Sequence, residues 1–207
     1  PAPGEFLHRA ENTGLIVPIG RWVLNDVCAQ IRGWQRFCPP GDMPFVSVSV
    51  SGKQIAQKDF VASTEEALEK FGVSGDKLML ELTETSLMQN PDACAITIKK
   101  LRALGVQVCI DDFGTGYSSL SYLHTLPING LKIDRSFITR MTDDREGPEL
   151  VSTIMALATN LGLDAVAEGV ETESQLNGLA LLRPKYVQGF YFSRPLEPAA
   201  AMAILAA

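Results

Sequence analysis

The chain has 207 residues, 46% of them hydrophobic, and a formal net charge of −6 at pH 7. That is enough apolar material for one substantial core, and no Lys/Arg run exists to displace counterions from a DNA or RNA polymer, although a small phosphate ligand held by a metal stays open. With only His8 and His124, and with Cys28, Cys38, Cys94 and Cys109 lacking any C-x-x-C pair, neither a His-rich zinc centre nor a disulfide framework is expected, and the thiols read as reduced.

No apolar run reaches bilayer-spanning length, and the opening PAPGEFLHRA has neither a basic nor an apolar targeting region. A soluble cytoplasmic domain without membrane contact is therefore expected. Nothing resembling a linker or an internal repeat interrupts the chain, which predicts a single domain over residues 1–207. The chain begins without Met, so a truncated piece of a longer protein is also expected.

In residues 19–37, Trp22, Val23, Val27, Ile31 and Trp34 recur at helical spacing and predict an amphipathic helix. The period then changes to two: Val46, Val48 and Val50 alternate with Ser47, Ser49 and Ser51, the pattern of a strand with one small polar face. A helix over 60–71 and a strand over 77–83 follow. Asn90 and Pro91 form an N-cap and N1 pair for a helix ending at Gly105, and a strand follows directly over 106–110. Further on come a strand over 130–134, a helix over 149–161, a strand over 164–167 and a helix opened by the capping box Thr172-x-x-Gln175. A strand over 186–188 and a final helix close the chain. This alternation predicts a parallel α/β sheet of about six strands, either open and doubly wound or a barrel lacking its beginning.

Sites in such folds form at the carboxyl ends of the strands. Glu81, Asp111, Asp112 and Glu168 lie there, and Lys132 sits within a short strand between them. One acid at a strand end reads most simply as a cap or a surface charge. Four acids and a lysine on consecutive strands need a cation to offset their repulsion, which points to one or two Mg²⁺ or Mn²⁺ ions with hard oxygen ligands. Such a site would activate water and neutralise phosphoryl charge, with Lys132 either orienting the water or offsetting developing charge. The loop that follows Asp112, with Phe113, Gly114, Thr115 and Gly116 and continuing to Ser119, is Gly-rich and suited to closing over a ligand. Its Asp-Phe-Gly does not indicate a protein kinase, since no H-R-D loop accompanies it, and no Walker A loop is present.

In order, the segments Glu81-Leu82-Thr83-Glu84, Asp111-Asp112-Phe113-Gly114-Thr115-Gly116-Tyr117-Ser118-Ser119-Leu120, Leu131-Lys132-Ile133-Asp134, Glu168-Gly169-Val170-Glu171 and Gln188-Gly189-Phe190 resemble the signature series of the EAL domain family. The opening over residues 6–18 resembles that family's early helical segment. The resemblance implies a TIM-like (β/α) barrel, incomplete at its N-terminus, that hydrolyses cyclic di-GMP to linear pGpG with Mg²⁺ or Mn²⁺ in bacterial second-messenger signalling. It implies metal ligation by Glu81, Asp111, Asp112 and Glu168, a water held by Lys132, and substrate contacts from Gln188 and Glu171. Glu84 would support the Gly-rich loop, and Lys132, Glu168 and Glu84 would form the catalytic group.

It further implies a homodimer and fusion to sensory or GGDEF domains. Two departures accompany it. The naming Glu-Ala-Leu segment is expected before residue 1, and Ser49 stands where the family offers an asparagine ligand. A receptor that binds cyclic di-GMP without cutting it, or a protein-interaction module, is the alternative.

Overall fold

The computed structural model describes residues 3–38, 43–116, 123–143 and 147–205. Its contacts divide the chain into two compact units, residues 1–82, 86–108 and 197–207 in the first and 83–85 and 109–196 in the second.

The first unit opens with helices α1 (Pro3–Thr13) and α2 (Ile16–Trp34), separated at Gly14, whose φ of +80° few other residues tolerate. α2 buries Ile16, Gly20, Leu24, Cys28 and Ile31, a stripe at helical spacing. Burial pushes the Cys28 thiol up to about 11, and all four cysteines are buried and free. Trp22 belongs to the same periodicity yet is 66% exposed, because the buried stripe runs along Gly20 and Leu24 instead.

Strand β1 (Val46–Val50) keeps the expected alternation, with Val48 and Val50 buried and Ser47 and Ser49 exposed. It pairs in parallel with β2 (Leu78–Thr83), placing Ser49 opposite Glu81. Between them lie α3 (Gly52–Ile55), opened by a Ser51/Gln54 capping box, and α4 (Phe60–Phe71). After β2 come α5 (Glu84–Met88) and α6 (Pro91–Ala103), the latter capped by Asn90, whose side chain accepts from Ala93 N. A Cβ at Gly75 would stand 2.8 Å from the backbone carbon of Gly105, so only glycine lets the turn before β2 meet the end of α6.

Strand β3 (Gln107–Phe113) leads into the second unit, where it pairs in parallel with β4 (Gly130–Ile133). Strand β4 pairs with β5 (Asp164–Glu168), and β5 with β6 (Tyr186–Gln188), again in parallel. Helices α7 (Arg135–Asp143), α8 (Gly147–Asn160) and α9 (Glu173–Leu182) alternate with them, and α10 (Pro198–Leu205) belongs to the first unit. Strand positions Ile110, Leu131, Ile133 and Ala167 are at most 1% exposed, the near-continuous burial expected of parallel strands, and Ile138 and Val151 on the covering helices are fully buried. Both halves of the Thr172/Gln175 capping box form.

The six expected strands are all present; α3, α5 and α7 are not among the expected elements, and α3 and α5, of four and five residues, are too short to leave a periodic signature. No described helix is long and apolar enough to cross a membrane. Replacing Asn90 with Ala is expected to cost about 1 kcal/mol by freeing the α6 terminus, measured by chemical denaturation, with Ser or Asp at this position retaining most of the stability.

Candidate active site

The strand ends of the second unit are shaped by a break in register. Ile110 pairs with Leu131 and Phe113 with Ile133, so Asp111 and Asp112 together face the single residue Lys132. This is a β-bulge, and it frees two consecutive acids from pointing to opposite faces of the sheet. Asp112 takes a φ of +53°, a left-handed conformation that Asp tolerates better than most residues.

Lys132 is central to the arrangement. Its side chain is 5% exposed, and its ammonium lies 3.0 Å from Asp111 Oδ1 and 3.1 Å from Glu168 Oε2. Asp111 Oδ1 also accepts from the backbone N–H of Asp112 at 3.1 Å. Register accounts for the reach: Lys132 is level with Val166 on β5, and Glu168 is two residues further along the same face. The Asp112 carboxyl is held above the usual aspartate range, first by burial and then by repulsion from Asp111, Asp134 and Glu168, with Lys132 pulling the other way. Two carboxylates, Asp111 and Glu168, thus meet the ammonium directly, and Asp112 feels the charge of both and of Asp134. Asp134 lay within the Leu131–Asp134 motif without an assigned part; its Oδ1 accepts from Ser136 N at 2.9 Å and from Ser136 Oγ.

Glu84 is 2% exposed and grips the start of the Gly-rich loop. Its Oε2 accepts from Gly114 N at 3.0 Å, and its buried Oε1 has no hydrogen-bond partner among the described residues. A Cβ on Gly116 would come within 2.8 Å of that Oε1, so glycine allows the close approach. Thr115 closes the turn by donating its N–H and its hydroxyl to the Asp112 carbonyl. Phe113 is 5% exposed and ends β3, whereas Gly114, Thr115 and Gly116 are exposed. Residues 117–120 of the loop motif lie outside the described residues.

Beside Glu168 opens a cleft of about 610 Å³ whose walls include Arg135, Glu171, Gln188, Phe190 and Arg194. Gln188 is level with Glu168 across β5 and β6, and Arg135 Nη1 lies 3.6 Å from Glu171 Oε1. The Arg194 guanidinium stacks over the Phe190 ring at 5.0 Å. Gly189 has no room for a Cβ against the Val170 backbone, and Val170 hydrogen-bonds with Gln188 and Tyr191, which holds the two cleft walls together. Sequence reasoning singled out Glu171, Gln188 and Phe190 by motif but missed Arg135 and Arg194. Their one visible signal is a basic residue beside a motif.

In the first unit Ser49 is exposed and its partner across the ladder, Glu81, is 7% exposed. For a divalent cation the donor chemistry of the second unit fits: carboxylate oxygens in excess of positive charge, with the Asp112 carboxyl raised by burial and then by its acidic neighbours. Among the described residues no three His, Cys, Asp or Glu side chains form a ready-made cage, and Lys132 stands between Asp111 and Glu168.

The EAL domain profile matches residues 1–195. The chain belongs to the EAL domain family. It is 43% identical over 205 residues, 99% of this chain and 30% of the relative, to the bifunctional diguanylate cyclase/cyclic di-GMP phosphodiesterase MucR of Pseudomonas aeruginosa. To the cyclic di-GMP phosphodiesterase NbdA of the same species it is 40% identical over 203 residues, 96% of this chain and 25% of the relative. A solved PaMucR phosphodiesterase in complex with c-di-GMP matches at a TM-score of 0.91 and 43% identity, over 97% of this chain and 80% of that one. The chain spans about a quarter to a third of the length of the curated relatives it matches. Its fold class is an incomplete TIM-like (β/α) barrel of the EAL type, with six parallel strands in this chain.

Replacing Lys132 of this EAL domain with Met leaves two carboxylates without their shared cation. The expected cost is about 2 kcal/mol in metal-free buffer, below the range for a fully buried pair because Glu168 is partly exposed. Urea unfolding measures it, and an unchanged midpoint would mean that the two ion pairs add nothing to stability.

Proposed function

We propose that this chain is a cyclic di-GMP-specific phosphodiesterase domain that hydrolyses the cyclic dinucleotide to linear pGpG with Mg²⁺ or Mn²⁺. The observation that carries the reading is the buried Lys132 ammonium between Asp111 and Glu168, beside the bulged acid pair and a cleft with two arginines.

In this reading Asp111, Asp112 and Glu168 hold the cation, and Glu81 joins them on the strength of its motif alone. The bound ion supplies an activated water and neutralises phosphoryl charge. Lys132 would hold the attacking water or offset charge on the phosphoryl oxygens. Arg135 and Arg194 face the anionic substrate, the Phe190 ring stacks on a base, and Gln188 and Glu171 take polar edges. Glu84 keeps the Gly-rich loop, with Thr115 and Gly116, in place beside the acids. A homodimer, fusion to sensory or diguanylate cyclase domains, and a cytoplasmic setting complete the proposal, since the relatives are several times longer.

A second reading, a receptor that binds cyclic di-GMP without cutting it, is favoured by Ser49. A hydroxyl is a shorter and weaker ligand than the amide oxygen expected there.

Calorimetric binding of cyclic di-GMP with Mn²⁺, recorded beside formation of the linear dinucleotide in the full-length protein, tests both. Binding with turnover is expected; binding without turnover selects the receptor, and no binding removes both. Asp111→Ala and Asp112→Ala are each expected to lower turnover by about a hundredfold or more, and Lys132→Ala to reduce kcat with a small change in KM. Ser49→Asn is expected to raise activity, and a variant with no gain would show that the amide is not what limits the site.

A further inference from the structure

We propose that Phe137 is a positioning residue for the acid pair Asp111–Asp112, acting through Gly114. The proposal rests on the reading above that these carboxylates hold a divalent ion. Gly114 has a φ of +95°, and a Cβ there would stand 2.8 Å from Phe137 Cε2, 3.0 Å from its Cζ and 3.7 Å from Ile154 Cδ1. The ring therefore presses directly on the Gly114 backbone. On its N–H, the same residue is held by Glu84 Oε2 at 3.0 Å. One polar and one apolar contact thus grip a single glycine.

That grip lies two residues beyond the left-handed Asp112. The Asp112 carbonyl accepts both the N–H and the hydroxyl of Thr115, so residues 112–115 form one closed turn with Gly114 inside it. Within this turn Gly114 is the residue with the widest choice of φ and ψ, and the ring restrains it. Without the ring, Asp112 is free to relax toward ordinary backbone angles, and the bulge loses the geometry that turns both acids toward Lys132.

The place of Phe137 in the fold supports the same conclusion. It sits in the first turn of α7, its N–H donating to the Asp134 carbonyl at 3.1 Å, and α7 begins directly after β4. Lys132 and Phe137 therefore come from one short stretch of chain. Lys132 sets the carboxylate of Asp111, and Phe137 sets the backbone that follows Asp112. The next residue, Ile138, is fully buried, whereas Phe137 is only partly buried.

The test compares Phe137→Ala, Phe137→Leu and the packing control Ile138→Val in the full-length protein. Mn²⁺ affinity is measured by calorimetry without nucleotide, then kcat and KM for cyclic di-GMP, and the thermal midpoint of each variant. Phe137→Ala is expected to weaken Mn²⁺ binding and lower kcat by about tenfold each, with a smaller effect on KM, because, of the cleft walls named above, only Arg135 shares α7 with Phe137. Phe137→Leu should fall between it and the wild type. Ile138→Val should lower the thermal midpoint and leave Mn²⁺ affinity alone. Should Phe137→Ala fail to fold, Phe137→Leu carries the comparison. Wild-type Mn²⁺ affinity and kcat in a folded Phe137 variant overturn the proposal, as does equal weakening by Ile138→Val. A wild-type protein that binds no Mn²⁺ removes the metal reading itself, a result distinct from loss of Phe137 alone.

Discussion

An ammonium group buried in a protein interior is costly unless carboxylates surround it, and the second unit is organised around that requirement. Lys132 extends from the fully buried strand β4 and meets Asp111 on one side and Glu168 on the other, both close to 3 Å. Parallel pairing of β3, β4 and β5 is what brings three residues so far apart in the chain to one place. The balance of charge is unequal, since Asp112 and Asp134 add to the acids; the Asp112 carboxyl is raised first by burial and then by repulsion from its acidic neighbours. A surplus of hard oxygen donors beside one fixed cation is suited to receiving a further cation and an anionic ligand together.

The bulge on β3 gives this centre its form. Regular pleating would send Asp111 and Asp112 to opposite faces, and only the extra residue, with its left-handed backbone, keeps both near Lys132. Such a conformation persists only where its surroundings hold it. Here they are Glu84 on the Gly114 amide, the Thr115 bonds to the Asp112 carbonyl, and the Phe137 ring. The cleft beyond Glu168 supplies what the acids cannot, guanidinium groups and aromatic faces.

Much of this was visible in the chain before folding. Val46, Val48 and Val50 marked a strand by alternation alone, and Asn90 and Thr172 marked helix starts through hydrogen bonds that span three residues. The motif acids fell at strand ends because strand ends are set by local pattern. Trp22 shows the limit of the same reasoning: helical spacing defines a stripe, but which stripe finds a partner depends on packing, and the one through Leu24 did.

The sequence by itself determined the order of strands and helices, the family, and the identity of the acids and the lysine. All of these are carried by residue types within a few positions of one another. Tertiary structure alone decided the bulge that sets Asp111 and Asp112 against Lys132, the sharing of that lysine with Glu168, the ring against Gly114 and the arginines of the cleft. Each of these arises from register or packing between segments 20 or more residues apart, a relation that no local pattern encodes.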